Sequence, residues 1–365
     1  MSAPRFIMIG GFLGAGKTTT VGRLARRFQA LGQRVAIVTN DQATDLVDTN
    51  SLRSQGFNVG EVAGACFCCN FNELTSVVER LASDARPDVI LAEPVGSCTD
   101  LVATVIRPLV QVYNQPLDVA PYGVILKPSH GLRILRPRPQ MRTGFSPQAE
   151  YIFRKQIEEA DFVVINRVDE LSAADVHDLA AALEREYPGR PILRMSAKTG
   201  EGFEGLCEFL DQRGEFGRRV IELDYDAYAI GEAELGWLNA QLHVAAAAPF
   251  SLDEFLCELI RDLQSRLEPL GAETAHLKAI GLWEGAYGVA NLVSSFTAPE
   301  LSVPSAARTR EAQVVVNARV AMDPADLERL VRDSTALIAA RYAGESTIAA
   351  LQSFRPGRPV PTHRL

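Results

Sequence analysis

Arg5-Phe6-Ile7-Met8-Ile9-Gly10-Gly11-Phe12-Leu13-Gly14-Ala15-Gly16-Lys17-Thr18-Thr19 decides how the chain is read. It carries the spacing G-x-x-x-x-G-K-T, with Gly11, Gly16, Lys17 and Thr18 at the fixed places. The apolar run Phe6-Ile7-Met8-Ile9 ahead of it has the character of a buried parallel strand. Behind it Val21, Leu24, Ala25, Phe28 and Leu31 recur at helical spacing. In a strand, glycine-rich loop and helix, successive backbone N–H groups turn inward at the positive helix end and can wrap a polyphosphate. On this reading Gly11, Gly14, Ala15, Gly16, Lys17, Thr18 and Thr19 line the phosphates. Lys17 neutralises β/γ charge, and the Thr18 hydroxyl takes a place on Mg2+.

Working outward, residues 34–39, 88–92, 162–165 and 191–195 are further apolar runs, each ending in polar residues. Those ends are Asn40-Asp41, Glu93, Asn166-Arg167-Val168-Asp169 and Ser196-Ala197-Lys198. Strands alternating with helices describe an α/β, doubly wound, mostly parallel sheet with its site at the carboxyl ends. Residues 42–60, with Asp41, Asp45 and Asp48 in or beside them, read as a switch loop; Asp41 is a candidate Mg2+ ligand. The stretch 101–148 holds Arg107, Lys127, Arg133, Arg136, Arg138 and Arg142 against the single acid Asp118. It reads either as a solvated loop or as a docking surface for an acidic partner.

A boundary falls near residues 214–226. Beyond it, strands are expected at 237–245, 276–283, 288–296 and 313–320. Helices open at Ser251 and at Asp323-Pro324, so this is a smaller α+β domain. The expected organisation is a nucleotide-binding domain over 1–215, the small domain over 226–345, and a mobile tail over 346–365.

Three constellations carry chemistry. In Asn166-Arg167-Val168-Asp169, the Asp169 carboxylate can accept from guanine's N1–H and exocyclic amine, an edge that adenine lacks. Asn166 ties that loop to the phosphate loop, and Ser196-Ala197-Lys198 completes the pocket through backbone N–H groups to the base oxygen. GTP and GDP are therefore preferred. In Glu93-Pro94-Val95-Gly96, Glu93 holds Mg2+ directly or through water and the Gly96 N–H meets the γ-phosphate; the bland alternative is a surface acid at a strand end. Lys17, Glu93 and Gly96 are thus the catalytic candidates, and slow, switch-like hydrolysis is expected. Cys66-Phe67-Cys68-Cys69 crowds three thiols into four positions. It is read first as a metal site, with redox chemistry and simple packing as the other readings. Zn2+ suits thiolates best; Co2+ and Cu(I) also fit.

The composition agrees with a globular enzyme: 365 residues, 47% hydrophobic, 22% charged and a net charge of −8. That balance disfavours nucleic acid as the main partner, and no apolar run is long enough for a membrane span. Six cysteines, half of them in one cluster, do not suggest a disulfide framework, so the expected compartment is the reducing cytoplasm.

P-loop, C-x-C-C, E-x-x-G, N-R-x-D and S-A-K in this order resemble the CobW-like GTPases, relatives of the urease and hydrogenase accessory GTPases. Gln156-Ile157-Glu158-Glu159-Ala160-Asp161, Asn40-Asp41 and, further on, Asn317-Ala318-Arg319 are similar to that family as well. Arg167 stands where the family usually has lysine, and Lys127-Pro128 follows a strand where the family has an aspartate. The resemblance implies a GTP-hydrolysing metallochaperone, or a factor in metallocofactor or cobalamin maturation, with metal on Cys66, Cys68 and Cys69. Its partner would be a client metalloprotein, met through the 101–148 stretch or the C-terminal domain; a nucleotide-dependent homodimer is a further compatible arrangement. The alternative reading is a slow regulatory GTPase that assembles or activates a cobalamin-dependent or other metalloenzyme.

Overall fold

The computed structural model describes residues 3–41, 49, 52, 53, 55–113, 116–136, 146–292, 295 and 297–365. The chain divides into two compact units: Met1–Thr143 and Pro147–Tyr228 together with Arg358–Leu365, and Ala229–Gly357 together with Gly144–Ser146.

The first unit begins with β1 (Arg5–Gly10), every residue of it buried, followed by α1 (Lys17–Ala30). Then come β2 (Val35–Asp41), β3 (Asn58–Ala63), α2 (Phe71–Ala85) and β4 (Val89–Glu93). A π-helical turn at Val102–Ile106 runs into α3 (Arg107–Gln111), and β5 (Asp118–Val119), β6 (Gly123–Leu126) and α4 (Pro128–Leu135) follow. After α5 (Pro147–Glu159) come β7 (Phe162–Ile165), α6 (Ala173–Glu186), β8 (Ile192–Arg194) and α7 (Phe203–Leu210). The next helix, α8 (Tyr225–Ala233), begins in the first unit and ends in the second. The strands lie in the order β3-β2-β4-β1-β6-β7-β8, with β5 also on β1, and every pairing is parallel. Parallel strands covered on both faces are buried along their length and mostly apolar, as β1, β4, β6 and β7 are, with Arg5 and Glu93 at the ends of β1 and β4. Ile7, Ile9, Val21, Leu24, Ile37, Leu91 and Ile125 form one core between sheet and helices. This is the P-loop NTPase architecture expected from the opening motif.

Two expectations are corrected here. β3 begins at Asn58 and so takes the last three residues of the stretch read as a polar switch loop. Its Gly60 carries no side chain because α2 packs so closely that a Cβ would collide with Val77 and Leu81. The stretch 101–148 is not a loose basic loop over its described part: it holds β5, β6, α3 and α4. Lys127 and Arg133 are buried, and Arg136 pairs with Asp178, so these cations do not form an exposed patch. Arg138 and Arg142 lie outside the described residues.

The second unit carries β9 (Gly236–Ser251), α9 (Leu252–Leu267), β10 (Thr274–Trp283), β11 (Ala286–Leu292), β12 (Glu300–Val303) and β13 (Arg308–Val320). It closes with α10 (Pro324–Arg341) and β14 (Gly344–Phe354). Its six strands form a separate antiparallel sheet ordered β12-β11-β10-β13-β9-β14. Ser251 caps α9 by accepting from the Glu254 N–H, and Asp323 caps α10 by accepting from the Ala325 N–H. Leu256, Leu259, Ile260 and Leu263 of α9 share a core with Val331 and Ile338 of α10 and with the sheet. The tail expected over 346–365 is not loose. Residues up to Phe354 pair with β9, and Arg358–Leu365 return to the first unit, held by backbone bonds described below. Four prolines and glycines in a short stretch disfavour helix, but they leave an extended chain free to be bonded by its neighbours.

Candidate functional site

At the carboxyl end of β1 the backbone turns sharply through Gly11, Gly14 and Gly16, with φ of 136°, 71° and 94°. Two of these positions exclude any side chain. A Cβ on Gly11 would strike the Ile125 carbonyl oxygen, and one on Gly16 would strike the Asn166 amide nitrogen. The loop thereby lies close to β6 and β7 and delivers Lys17 and Thr18 to the first turn of α1, where orphan N–H groups and the helix dipole favour an anion. Lys17 is buried and donates from Nζ to the Gly11 carbonyl at 2.9 Å, so its charge is folded over the loop. The Thr18 hydroxyl donates to Glu93 Oε1 at 2.7 Å, and Glu93 is buried at the end of β4. A hydroxyl and a carboxylate in contact at the mouth of such a loop can share a hard divalent cation. Gly96, three residues on, sits against the loop itself: a Cβ there would come within 2.7 Å of Leu13 Cδ2. Asp41 ends β2 at the same sheet edge, and its side chain is not described; Asp45 and Asp48 lie outside the described residues.

Asn166 joins the other half of the cleft. Its Nδ2 donates to the Ala15 carbonyl at 2.7 Å, and its Oδ1 accepts from the Ala197 N–H at 2.9 Å. One buried side chain therefore fastens the phosphate loop to Ser196-Ala197-Lys198. This differs in one respect from the expected pocket: the Ala197 N–H is directed at Asn166 rather than toward a base. Arg167 has a left-handed backbone (φ 59°) and is paired with Glu170 at 2.6 Å, while Asp169 stands exposed in the turn Val168–Glu170. Ser196 accepts from the Thr199 N–H at 3.0 Å. Arg23, which sequence reading did not single out, donates from α1 to the Ala197 and Lys198 carbonyls, both at 2.9 Å. Nothing in its sequence position separates it from the other arginines of that helix.

Cys66, Cys68 and Cys69 follow β3 in a tight turn. Their sulfurs all lie within 4.8 Å of one another, with separations of 3.0, 3.1 and 3.8 Å. The turn is held by Asn40 at the end of β2, which donates to the Val62 and Ala65 carbonyls and accepts from the Phe67 N–H at 2.8 Å. Cys66 is held far below the ordinary thiol range by its sulfur contacts with Cys68, Cys69 and Cys98, in that order of importance. The same contact with Cys66 pushes Cys68 well above that range and Cys69 up to about 11. Around one Zn2+ at bonds of about 2.3 Å, tetrahedral sulfurs stand roughly 3.8 Å apart. The Cys68–Cys69 separation already meets this, and Cys66 needs to withdraw by less than about 1 Å, so the donor set fits a soft cation.

The extended segment Arg358–Leu365 crosses this turn. The Val360 N–H donates to Cys69 Sγ at 3.3 Å, the Thr362 N–H to the Cys68 carbonyl at 2.8 Å, and the Thr362 hydroxyl to the Cys69 carbonyl at 3.2 Å. Arg364 donates to buried Asp100 at 2.7 Å, and the His363 ring packs edge-on against Phe71 with centroids 5.0 Å apart. Gln156 of α5 is a second residue that sequence reading left without a role. It donates to the Gly96 and Cys98 carbonyls at 3.0 and 2.8 Å, fixing the loop that follows Glu93. Among the described residues no helix is long and apolar enough to cross a membrane.

A family profile described as the nucleotide-binding domain of CobW, HypB and UreG matches residues 5–194. A relative named zinc chaperone CobW, from Sinorhizobium sp., is 26% identical over 218 residues, covering 53% of this chain and 59% of that protein. The match therefore spans little more than half of that relative's length. Urease accessory protein UreG 2 of Bradyrhizobium sp. is 29% identical over 226 residues, covering 58% of this chain and 92% of its own. Among solved structures, Zn(II)-bound YjiA GTPase from E. coli covers 90% of this chain and 98% of its own at 14% identity and a TM-score of 0.40.

Proposed function

Since the chain belongs to the CobW/HypB/UreG family, we propose that it is a GTP-hydrolysing metallochaperone whose nucleotide state governs how tightly a thiolate-bound metal is held. The observation that carries this reading is the position of the thiols. Cys66, Cys68 and Cys69 follow β3 and are fastened by Asn40 at the end of β2, while Glu93 and Thr18 meet at the end of the adjacent β4. The cation and nucleotide sites thus share one sheet edge. In this reading Gly11, Gly14, Ala15, Gly16, Lys17, Thr18 and Thr19 hold the phosphates, and Thr18 and Glu93, joined by Asp41, hold Mg2+. Asn166, Arg167, Asp169 and Ser196-Ala197-Lys198 form the guanine pocket. Lys17, Mg2+ and the Gly96 N–H stabilise charge on the transferred phosphoryl group. The cargo is Zn2+, which three thiolates suit better than they suit harder ions, and the recipient is a client metalloprotein.

Titration of the purified protein with Zn2+ and with Co2+, nucleotide-free, with GDP and with a non-hydrolysable GTP analogue, tests this reading. A coupling of about 1–3 kcal/mol between nucleotide and metal is expected. Metal affinity unchanged by replacing Cys66, Cys68 and Cys69 together with serine, or the same in all three nucleotide states, would overturn it.

A further inference from the structure

We propose that the cysteine turn is one wall of a peptide-binding groove, filled here by the chain's own Arg358–Leu365, and that an extended segment of the client replaces it. This rests on the metal-binding reading for its purpose and adds to it the place where the client docks. Among the described residues the segment is the donor in the bonds that hold it. The Val360 and Thr362 N–H groups go to Cys69 Sγ and the Cys68 carbonyl, and the Thr362 hydroxyl goes to the Cys69 carbonyl. Further on, Arg364 Nη2 donates to the Ile221 carbonyl at 2.8 Å and the Leu365 N–H to the Ala103 carbonyl at 2.9 Å. The groove presents acceptors, so its occupant is an extended chain that offers donors along one edge. The sequence of the segment suits this one-sided pairing: Pro359 and Pro361 alternate with Val360 and Thr362. Successive N–H groups of an extended chain face opposite ways, so the prolines stand where an N–H would point out of the groove, and they have none. Their fixed φ also keeps a released segment extended, which leaves less disorder for docking to remove.

Two features make the resident segment replaceable and say what replaces it. Its hold on the turn is mainly main-chain: the Val360 side chain is 69% exposed, and Thr362 and Arg364 are exposed as well. Main-chain donors are common to every extended peptide, so the turn itself asks for little sequence. Asp100 asks for more. It is buried, in a left-handed backbone (φ 63°), and it accepts from the Tyr225 hydroxyl at 2.8 Å and from Arg364 Nε at 2.7 Å. Removing the cation from a buried carboxylate is costly, so a replacing segment must bring its own arginine or lysine to that point. The partner is therefore an extended segment with N–H donors on alternate residues and a basic side chain two residues past the second donor. Docked in place of Arg358–Leu365, such a segment sets the client's side chains against Cys69, the thiol that the resident main chain now covers.

The test uses the full chain, free of metal and nucleotide, and a synthetic peptide of residues 357–365. Arg364→Ala in the protein loosens the resident segment, and the peptide keeps its arginine. The peptide should then bind the variant roughly 5- to 30-fold more tightly than it binds the wild-type chain, where the resident segment competes. Bound peptide should also return the faster Cys69 alkylation of the variant to the wild-type rate. The same peptide carrying Arg364→Ala should do neither. A photoreactive group at the Val360 position of the peptide should label residues 66–71. Thr362→Pro in the protein, which removes both Thr362 donors at an exposed position, gives a second opened form should Arg364→Ala fold poorly. No binding to either opened form, equal binding to opened and wild-type protein, binding that leaves Cys69 unprotected, or labelling elsewhere would each overturn the inference. Zn2+ is absent throughout, so failure here leaves the thiol site standing, and failure of the metal titration leaves the groove.

Discussion

Replacing Asn166 with alanine should loosen both halves of the cleft at once. The side chain is 2% exposed, donates to the Ala15 carbonyl at 2.7 Å and accepts from the Ala197 N–H at 2.9 Å. Each neutral bond contributes about 1 kcal/mol net, and a buried N–H or C=O left without a partner costs about 1–3 kcal/mol. Water entering the vacated space recovers part of that, so a loss of about 2–4 kcal/mol is expected for opening the Ser196-Ala197-Lys198 turn. The two compact units make a single global midpoint a poor measure; amide hydrogen exchange resolved by peptide reads the opening directly. At 1.4 kcal/mol per decade, exchange at Ala197 should accelerate by roughly 30- to 700-fold, and the phosphate loop should follow. Asn166→Asp separates the two arms. It keeps an acceptor for the Ala197 N–H but sets a carboxylate oxygen against the Ala15 carbonyl, so the phosphate loop should loosen more than the Ala197 turn. GDP affinity should fall in both variants. Wild-type exchange at Ala197 in Asn166→Ala would refute the view that this one side chain fastens the cleft.

Thr18→Ala should abolish the contribution of Mg2+ to GTP affinity while leaving Mg2+-free GDP binding near the wild-type value, because besides one methyl group it removes only the hydroxyl that meets Glu93 at 2.7 Å; equal sensitivity of the two proteins to a chelator would count against it. Arg364→Ala removes one partner of buried Asp100, which also accepts from the Tyr225 hydroxyl at 2.8 Å, and does so from a half-exposed position, so the segment over the cysteine turn should weaken by about 1–2 kcal/mol. Alkylation of Cys69 should then speed up by roughly 5- to 30-fold, with metal-free wild-type protein as the reference. Glu159, wholly buried, has its carboxyl pushed up to about 8 chiefly by desolvation. The folded state therefore keeps a proton that the unfolded chain gives up near pH 4.5, and stability must fall as pH rises from there to about 8. The interval corresponds to at most about 5 kcal/mol, and Glu159→Gln should flatten that slope in denaturant titrations between pH 5 and 8.5; an unchanged slope would assign the pH dependence to other groups.

The parts of the cleft that sequence made legible are those built from neighbours in the chain. Gly11 to Thr19 encode a turn in which spacing alone fixes the backbone, and Asn166 could be assigned to the phosphate loop because it ends a run as apolar as β7. β3 was not legible because its pattern reflects its contacts: Gly60 is bare so that α2 can approach, which in sequence looks like a loop residue. Lys127 and Arg133 read as surface charge because no acid lies near them in the chain, yet both are buried, and Lys127 Nζ stands 3.2 Å from His130 Nε2. The segment over the cysteines was hidden for a plainer reason: Val360 and Cys69 are 291 positions apart, and no local periodicity spans that distance.

What would have exposed the convergence is strand order. In a parallel sheet the loops that follow neighbouring strands emerge on one edge, and here β3, β2 and β4 are adjacent. The ends of those strands then bring Cys66-Phe67-Cys68-Cys69, Asn40-Asp41 and Glu93 through Cys98 together, whatever their separation in sequence. The order β3-β2-β4-β1 depends on finding β3, and β3 is the strand that its own packing disguises. The cysteine turn follows β3 and the phosphate loop follows β1, with β2 and β4 between them in one parallel sheet too well packed to bend, so Asn40 at the end of β2 can fasten the one turn while Glu93 at the end of β4 meets the other.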